Sequence, residues 1–237
     1  RLALEARRRV KEQQKRIGSA EFRNTHFSYT MGDEGVEKFV STPELKSEDQ
    51  IDHDPLPPGQ VFTISPGSQD EHPGLYKIEI NESPGSGYKI LNKPTPAKFR
   101  ESADVAIQNL YSKSNTLVGD RDAKGHEFNI QLRAFDASKS GASLGVGTLL
   151  GLGSALLQKS IKGGLVVVGN LNLGGSVDEL YNAVSVAELA VEKGAVSLLV
   201  PVTARKQLAE LSDDMITKIS IHFYSDARDA LLKALVE

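Results

Sequence analysis

The sequence predicts an α/β fold built from α+β layers, preceded by a β-rich segment and a basic helix. Three observations support this prediction. From Thr95 onward, amphipathic stretches alternate with short β-branched runs, an alternation typical of a layered strand–helix fold. The run LVVV at 165–168 lacks polar alternation, which indicates a strand covered on both faces. Between residues 22 and 99, short alternating runs separated by Gly and Pro clusters indicate antiparallel strands.

The chain begins with a strongly basic stretch. Residues 1–17 hold seven Lys or Arg against two Glu, and Gly18 is a plausible helix stop. We expect a linker helix over 1–20, either a solvated connector or an arm that contacts a partner from a domain upstream. Because the first residue is not Met, we expect this chain to be a fragment of a longer protein.

The two further predicted segments differ in their sequence patterns. Residues 21–72 are predicted to be a β-rich segment with long loops, carrying the runs HFSYT, EKFVST and QVFTI. Residues 73–237 are predicted to form the α/β domain. Its elements in chain order are the strands LYKIEI and YKIL, the helix PAKFRESADVAIQNLYSKS, the strand EFNIQLRAF, a helix after Ser143, the strand GLVVVGNLNL, the helix VDELYNAVSVAELAVEKG, the strand SLLVPV, the helix ARKQLAELS, the strand KISIHFY and the helix DARDALLKALV.

Composition weighs against several classes of function. The chain has no Cys, which excludes disulfides, a thiol nucleophile and cysteine metal sites. A net charge of −3 provides no basic field for nucleic acid. His53 lies between two aspartates, but the sequence shows no further ligand, so a solvated loop is the simpler interpretation. We expect no metal and no cofactor in this chain.

The uncharged stretch 140–158 is the one candidate for a membrane span in the sequence. It approaches the roughly 20 residues that a bilayer requires, but it is rich in Gly and Ser and ends at Lys159. We expect a buried core helix and no membrane partner. Its glycines do not form a phosphate loop, because the Lys-Ser/Thr ending is absent. Close helix packing explains them better, at Gly145, Gly147, Gly151 and Gly153.

Ser143 is the candidate catalytic residue, because it precedes this helix. A helix N-terminus presents free N–H groups and partial positive charge, which stabilise an oxyanion. A serine nucleophile also needs a base, and His126 is the nearest histidine in the sequence. The residues alone therefore leave two roles open for Ser143, a nucleophile or a helix cap.

Several of these motifs resemble the proteolytic domain of Lon proteases. In that family a strand leads to Lys-Asp-Gly-Pro-Ser-Ala-Gly, which opens a helix, and here 139–145 reads KSGASLG. Gly169 follows Ser143 by 26 residues and opens GNLNLGG, similar to Gly-Glu-Ile-Thr-Leu-x-Gly in the family. The stretch KGAVSLLVP then ends at Pro201. The resemblance covers about 73–237 and implies a Lon proteolytic-domain fold with Ser143 in the nucleophile's place.

A further resemblance, to the Lon-like proteins of bacterial phage-exclusion (BREX) systems, covers nearly the whole chain. It is carried by LEARRRVKEQ, HFSYT, PGLYKIE, LGGSV and KGAVSLLVP. It implies a cytoplasmic ring assembly, six subunits in most cases, that serves in antiviral defence. It also implies an AAA+ ATPase region upstream that binds ATP and Mg, DNA contacts made by the full-length protein, and other BREX components as partners.

The resemblance to Lon proteases also implies a Ser–Lys dyad, and here the sequence departs from the family. The frame from Gly169 to Pro201 puts the dyad lysine at about Val184, and residues 163–192 contain no Lys, Arg or His. Asn170 replaces the family's Glu after the strand glycine. We therefore expect a degenerate structural or oligomerisation module. The alternative is an active serine peptidase with an unrecognised base, for which Lys139 and Lys162 are candidates.

Overall fold

The computed structural model describes most of the chain. It covers residues 51–68, 71–136 and 140–237 in full, and 25–31 and 37–43 by their backbone. The chain divides into two compact units after Gln50. This division lies earlier than the boundary expected at residue 72, because the strand that follows it, Gln60–Ser65, belongs to the large sheet.

The first unit contains a two-stranded antiparallel hairpin. Strand β1 spans Thr25–Met31 and strand β2 spans Glu37–Pro43, with Thr25 opposite Pro43. The predicted strands HFSYT and EKFVST are therefore present. The predicted basic helix at 1–20 lies outside the described residues.

The second unit is built on one seven-stranded sheet. Its strands are β3 Gln60–Ser65, β4 Gly74–Pro84, β5 Gly87–Ile90, β6 His126–Ala134, β7 Leu165–Val167, β8 Ser197–Pro201 and β9 Ser220–Tyr224. The spatial order is β5-β6-β4-β3-β7-β8-β9. Strand β4 runs antiparallel to β3 and β6, and all other neighbours are parallel.

Helices cover both faces of this sheet, as the predicted α/β fold requires. They are α1 Ala97–Ser112, α2 Ser114–Leu117, α3 Gly145–Leu157, α4 Ala183–Glu192, α5 Arg205–Leu208, α6 Asp213–Lys218 and α7 Ala227–Ala234. Helices α1, α3 and α7 share one apolar core with the sheet, and α4 and α5 share the other.

Strand β7 shows why the sequence there lacks polar alternation. Val167 packs into the core with α1 and α3, whereas Val166 packs into the core with α4. Both side chains are fully buried. The prediction of a strand covered on both faces is confirmed.

The uncharged stretch forms the central helix α3, which is buried from Gly145 to Leu156. A Cβ atom at Gly147 would lie 2.8 Å from Thr63 Oγ1, and one at Gly151 would lie 2.9 Å from Ile80 Cδ1. Gly145 and Gly153 are also close to neighbours, Gly145 to Asn170 at 2.7 Å and Gly153, less tightly, to the flexible Leu231 side chain at 3.0 Å. The prediction that these glycines permit close helix packing is confirmed. Within the described part of the chain, no helix has the length and apolar character to span a bilayer.

Three predicted elements are shorter than expected, one of them the helix ARKQLAELS, which is an α-helix only at Arg205–Leu208. The strand GLVVVGNLNL is regular only at Leu165–Val167, and the helix predicted over 177–194 begins at Ala183. Gln207 explains the late helix start, since its side chain accepts from Ala183 N and donates to the Leu180 carbonyl. Residues 168–182 consequently form a long crossover loop between β7 and α4.

Candidate active-site cleft

A cleft lies at the N-terminal end of α3. It consists of two adjoining cavities of about 440 and 570 Å³. Gly67, Ser143, Asn170 and Asp178 line both cavities, so the two form one continuous space, which we call the Ser143 cleft. The crossover loop therefore supplies one wall. Helix α1 supplies part of the other wall, through Lys98, Glu101, Ser102 and Val105.

Ser143 is half-buried in this cleft and has an unusual backbone conformation. Its φ of +58° lies in the left-handed region, which costs an L-residue roughly 1–2 kcal/mol. The loop before it is anchored, because Ser140 Oγ donates to Glu71 at 2.7 Å and Gly141 N donates to the Tyr76 hydroxyl at 3.2 Å.

Ser143 does not cap α3. The cap position belongs to Leu144, and the helix has no side-chain cap hydrogen bond. The predicted capping role is therefore wrong, because Ser143 forms a left-handed turn one residue before the cap position, which Leu144 occupies. Among the described residues, the Ser143 hydroxyl has no hydrogen-bond partner.

The first amides of α3 are already engaged by protein acceptors. Leu144 N donates to Ser102 Oγ at 3.4 Å, Gly145 N to Asn170 Oδ1 at 3.3 Å, and Val146 N to the Gly169 carbonyl at 3.2 Å. An oxyanion site requires donors aimed at the reacting oxygen. These three N–H groups point instead at partners within the fold.

Asn170 connects the helix end to the crossover loop. Its Oδ1 atom accepts from Gly145 N, and its Nδ2 atom donates to Asp178 Oδ2 at 2.9 Å. Asp178 N donates back to the Asn170 carbonyl at 3.0 Å. The residue that replaces the glutamate of Lon proteases thus orients a carboxylate within the cleft.

The crossover loop is tied to α1 and α5. The buried Asn109 side chain donates to the Asn172 carbonyl at 3.1 Å, and Lys113 Nζ donates to the Gly174 carbonyl at 3.1 Å. The hydrogen bonds of Gln207 hold its far end. This loop carries Leu173 and Tyr181, whose side chains are 68% and 70% exposed.

The predicted position of a dyad lysine lies apart from the cleft. Val184 is the second residue of α4 and packs against the core under that helix. It is not among the residues that line the cleft. The loop wall beside Ser143 is formed by residues 178–181, whose side chains are Asp, Glu, Leu and Tyr.

Lys139 and Lys162 were the candidate substitutes for the dyad lysine. Lys162 donates to the Lys233 carbonyl at 2.8 Å, near the end of α7, and does not line the cleft. Lys139 lies outside the described residues. The structure brings Lys98 into the cavity that Ser143 lines, and its side chain is exposed.

Little in the sequence pattern pointed to Lys98 and Asp178 as residues of the cleft. Lys98 occurs among the charged residues that open α1, and Asp178 lies in a segment predicted as helix. Asn109 had a weak signal, because it is a polar residue within the apolar stripe of α1 and buried amides require partners.

Comparison with known proteins identifies relatives of this chain. The family model of the Lon protease (S16) C-terminal proteolytic domain matches residues 35–237. The chain is 28% identical over 234 residues to the Lon-like protease BrxL of Escherichia coli O9:H4 (strain HS), covering 98% of this chain and 34% of the relative. It is 29% identical to the Lon-like protease BrxL of Bacillus cereus (strain H3081.97), covering 99% of this chain and 35% of that relative. The Lon protease of Lawsonia intracellularis (strain PHE/MN1-00) is 28% identical over 85% of this chain and 24% of its own length. The chain thus spans about a third of the length of the BrxL relatives.

Proposed function

Since the chain belongs to the family of Lon protease (S16) C-terminal proteolytic domains, we propose that it is a non-hydrolytic member of that family. It serves as a structural and self-assembly module of a longer phage-defence protein. The observation that carries this proposal is the composition of the Ser143 cleft. The loop wall beside the serine presents Asp178, Glu179, Leu180 and Tyr181 and no amine.

A serine hydroxyl attacks a peptide bond efficiently only when a base removes its proton. Positioned general bases typically contribute 10²–10⁴-fold to the rate. A lysine acts as a base when burial favours its neutral form. In the described part of the cleft lining, Lys98 is the one lysine, and its side chain is exposed.

The engaged amides at the start of α3 support the same proposal. Removing one oxyanion donor from a serine peptidase costs about 10²–10³ in rate. Here the amides of Leu144, Gly145 and Val146 are bonded to Ser102, Asn170 and Gly169. Opening this site would require those bonds to break.

The wider role follows from the relatives and is proposed on that basis. Two relatives that cover nearly all of this chain are named Lon-like protease BrxL, and the motifs of 1–237 resemble phage-exclusion proteins. We propose a cytoplasmic ring homo-oligomer, in most cases hexameric. ATP and Mg would be bound by an ATPase region outside these residues. DNA and other BREX components would be contacted through the full-length protein.

The proposal is tested by reacting the chain with a fluorophosphonate and measuring intact mass, beside casein digestion with and without ATP and Mg. We expect no adduct and no cleavage, and the Ser143→Ala variant should be indistinguishable from the parent. Because Ser143 caps no helix, this substitution should change the free energy of unfolding by only about 0.5 kcal/mol or less. A Lon protease with its dyad intact is the positive control.

An active peptidase is the second candidate, and one observation favours it. Lys98 and Ser143 line the same cavity of about 570 Å³, and the serine hydroxyl has no partner among the described residues. A stoichiometric adduct on Ser143, with cleavage abolished by Lys98→Met, would establish this candidate and refute the first.

A further inference from the structure

We propose that the Ser143 cleft captures an extended peptide segment in which Arg or Lys alternates with large apolar residues, and releases it uncleaved. This inference rests on the proposed non-hydrolytic function and names the chemistry of the ligand. It is carried by three properties of the cleft, namely its exposed apolar residues, the excess of carboxylates over lysines in its described lining, and the fixed position of its loop.

The exposed apolar residues lie in the two different cavities of the cleft. Tyr181 lines the smaller cavity and Leu173 lines the larger one. Their exposures of 70% and 68% are the highest among the large hydrophobic side chains that the structure describes. Exposed apolar residues that border a concave site are a feature of protein and peptide interaction surfaces. Two such anchors in adjoining cavities fit a ligand that extends through both.

The charges of the cleft select for a cationic ligand. Glu101, Asp178 and Glu179 line it together with a single lysine, Lys98. Across the described residues, none of these three carboxylates forms an ion pair. The described lining therefore holds three carboxylates against one lysine, which favours encounter with a basic segment.

Glu179 and Tyr181 offer a specific site for a guanidinium group. The Tyr181 hydroxyl lies 3.5 Å from Glu179 Oε2, so a carboxylate lies at the hydroxyl end of an exposed aromatic ring. Arginine stacks on aromatic rings and pairs with carboxylates through the same planar group. The pair thus suits Arg better than Lys.

The loop that carries these groups is held in place before any ligand arrives. Asn109, Lys113 and Gln207 bind its backbone at three separate points. Pre-organised anchors bind more tightly, because less conformational entropy is lost on binding. Between the anchors, the Ser143 hydroxyl remains available to the backbone of the bound segment.

The experiment measures fluorescence anisotropy of the full chain with three labelled twelve-residue peptides. The first alternates Leu and Arg, the second replaces Arg with Glu, and the third replaces Leu with Ser. We expect the first to bind at least about tenfold more tightly than the other two. Glu179→Gln and Tyr181→Ala should each weaken its binding about fivefold, since each removes one half of the guanidinium site. The matched controls Glu210→Gln and Leu232→Ala, both on exposed residues outside the cleft, should bind as the parent does.

Equal binding of the Arg and Glu peptides, or unchanged affinity in both cleft variants, would overturn the inference. Mass spectrometry of the peptides after incubation distinguishes a failure of peptide capture from a failure of the proposed non-hydrolytic function. Binding followed by cleavage would refute the non-hydrolytic function while leaving capture intact. Intact peptides without binding would refute capture alone.

Discussion

At the scale of single residues, two tyrosines are held in their neutral form by their surroundings. Tyr224 is 1% exposed and donates to the Val168 carbonyl at 2.8 Å. Burial raises the pKa of its phenol far above the usual value. Tyr88 on β5 donates to Asp104 on α1. Burial, and then the hydrogen bond to that carboxylate, raises the pKa of Tyr88 to about 12.

These tyrosines predict a loss of stability at alkaline pH. In the unfolded chain both phenols ionise near pH 10, whereas in the folded chain they keep their protons. Between about pH 10 and 12 the unfolded state therefore binds fewer protons, so the free energy of unfolding falls as the pH rises. Urea denaturation from pH 8 to 11 should show this fall. In Tyr88→Phe the free energy of unfolding should fall less steeply with pH. An unchanged slope would contradict the role given to Tyr88.

At the scale of elements, α3 determines the geometry of the cleft, because Ser143 precedes it and Asn170 holds its first turn. The helix contacts β3 and β4 closely at Gly147 and Gly151. Gly147 has a rigid neighbour, since Thr63 Oγ1 and Cβ would lie 2.8 and 2.9 Å from an added Cβ. Thr63 is fully buried, and its hydroxyl has no partner within the described structure.

We expect Gly147→Ala to destabilise the fold by about 1–3 kcal/mol through overpacking, despite a gain in helix propensity of roughly 1 kcal/mol. Adding Thr63→Ala should recover part of that loss, because it removes the close Oγ1 and Cγ2 atoms, although Cβ at 2.9 Å remains, and breaks no described hydrogen bond. Gly153→Ala is the matched control with a smaller expected cost, since its neighbours are the flexible Leu231 methyls at 3.0 and 3.2 Å. Chemical denaturation of Gly147→Ala, Thr63→Ala, the double variant and Gly153→Ala measures the change in the free energy of unfolding for each. Additive effects of Gly147→Ala and Thr63→Ala would show that the two sites do not touch.

At the scale of the whole molecule, the described surface carries large apolar side chains that are distributed rather than gathered at the cleft alone. They include Leu91, Val196, Val202, Ile216 and Leu232, each between 45% and 65% exposed. A ring uses two different surface patches on every subunit, and closure repeats one contact around the assembly. Individually weak patches can therefore support a stable ring.

We accordingly expect the chain to self-associate with increasing concentration, and a form extended to the length of the BrxL relatives to form closed rings. Multi-angle light scattering and native mass spectrometry at rising concentration measure the subunit number. A strict monomer in both forms at high concentration would exclude the ring proposal. The Ser143→Ala variant should assemble as the parent does, because Ser143 forms no described contact that positions an element.

The sequence by itself determined the layered α/β class, the order of most elements and the buried character of α3. These features depend on local patterns, namely β-branched runs, helical periodicity and clustered glycines, which residues close in the chain impose on one another. The absence of Lys, Arg and His from 163–192 was also evident from the sequence alone. The role of the glycines followed from composition, because a helix with no charge and little bulk must pack against neighbours.

Only the tertiary structure decided what surrounds Ser143. Lys98, Asn170 and Asp178 reach it from α1 and from the crossover loop, and no local pattern joins residues 98, 143 and 178. The late start of α4 likewise depends on Gln207, which is 24 residues from Ala183 in the chain. The cap at Leu144 depends on a left-handed turn at Ser143, a conformation that serine rarely adopts unless long-range contacts impose it. The chemistry of the cleft thus depends on contacts between residues that are distant in the chain. The order of the strands in the sheet creates these contacts, and they cannot be predicted from local sequence patterns.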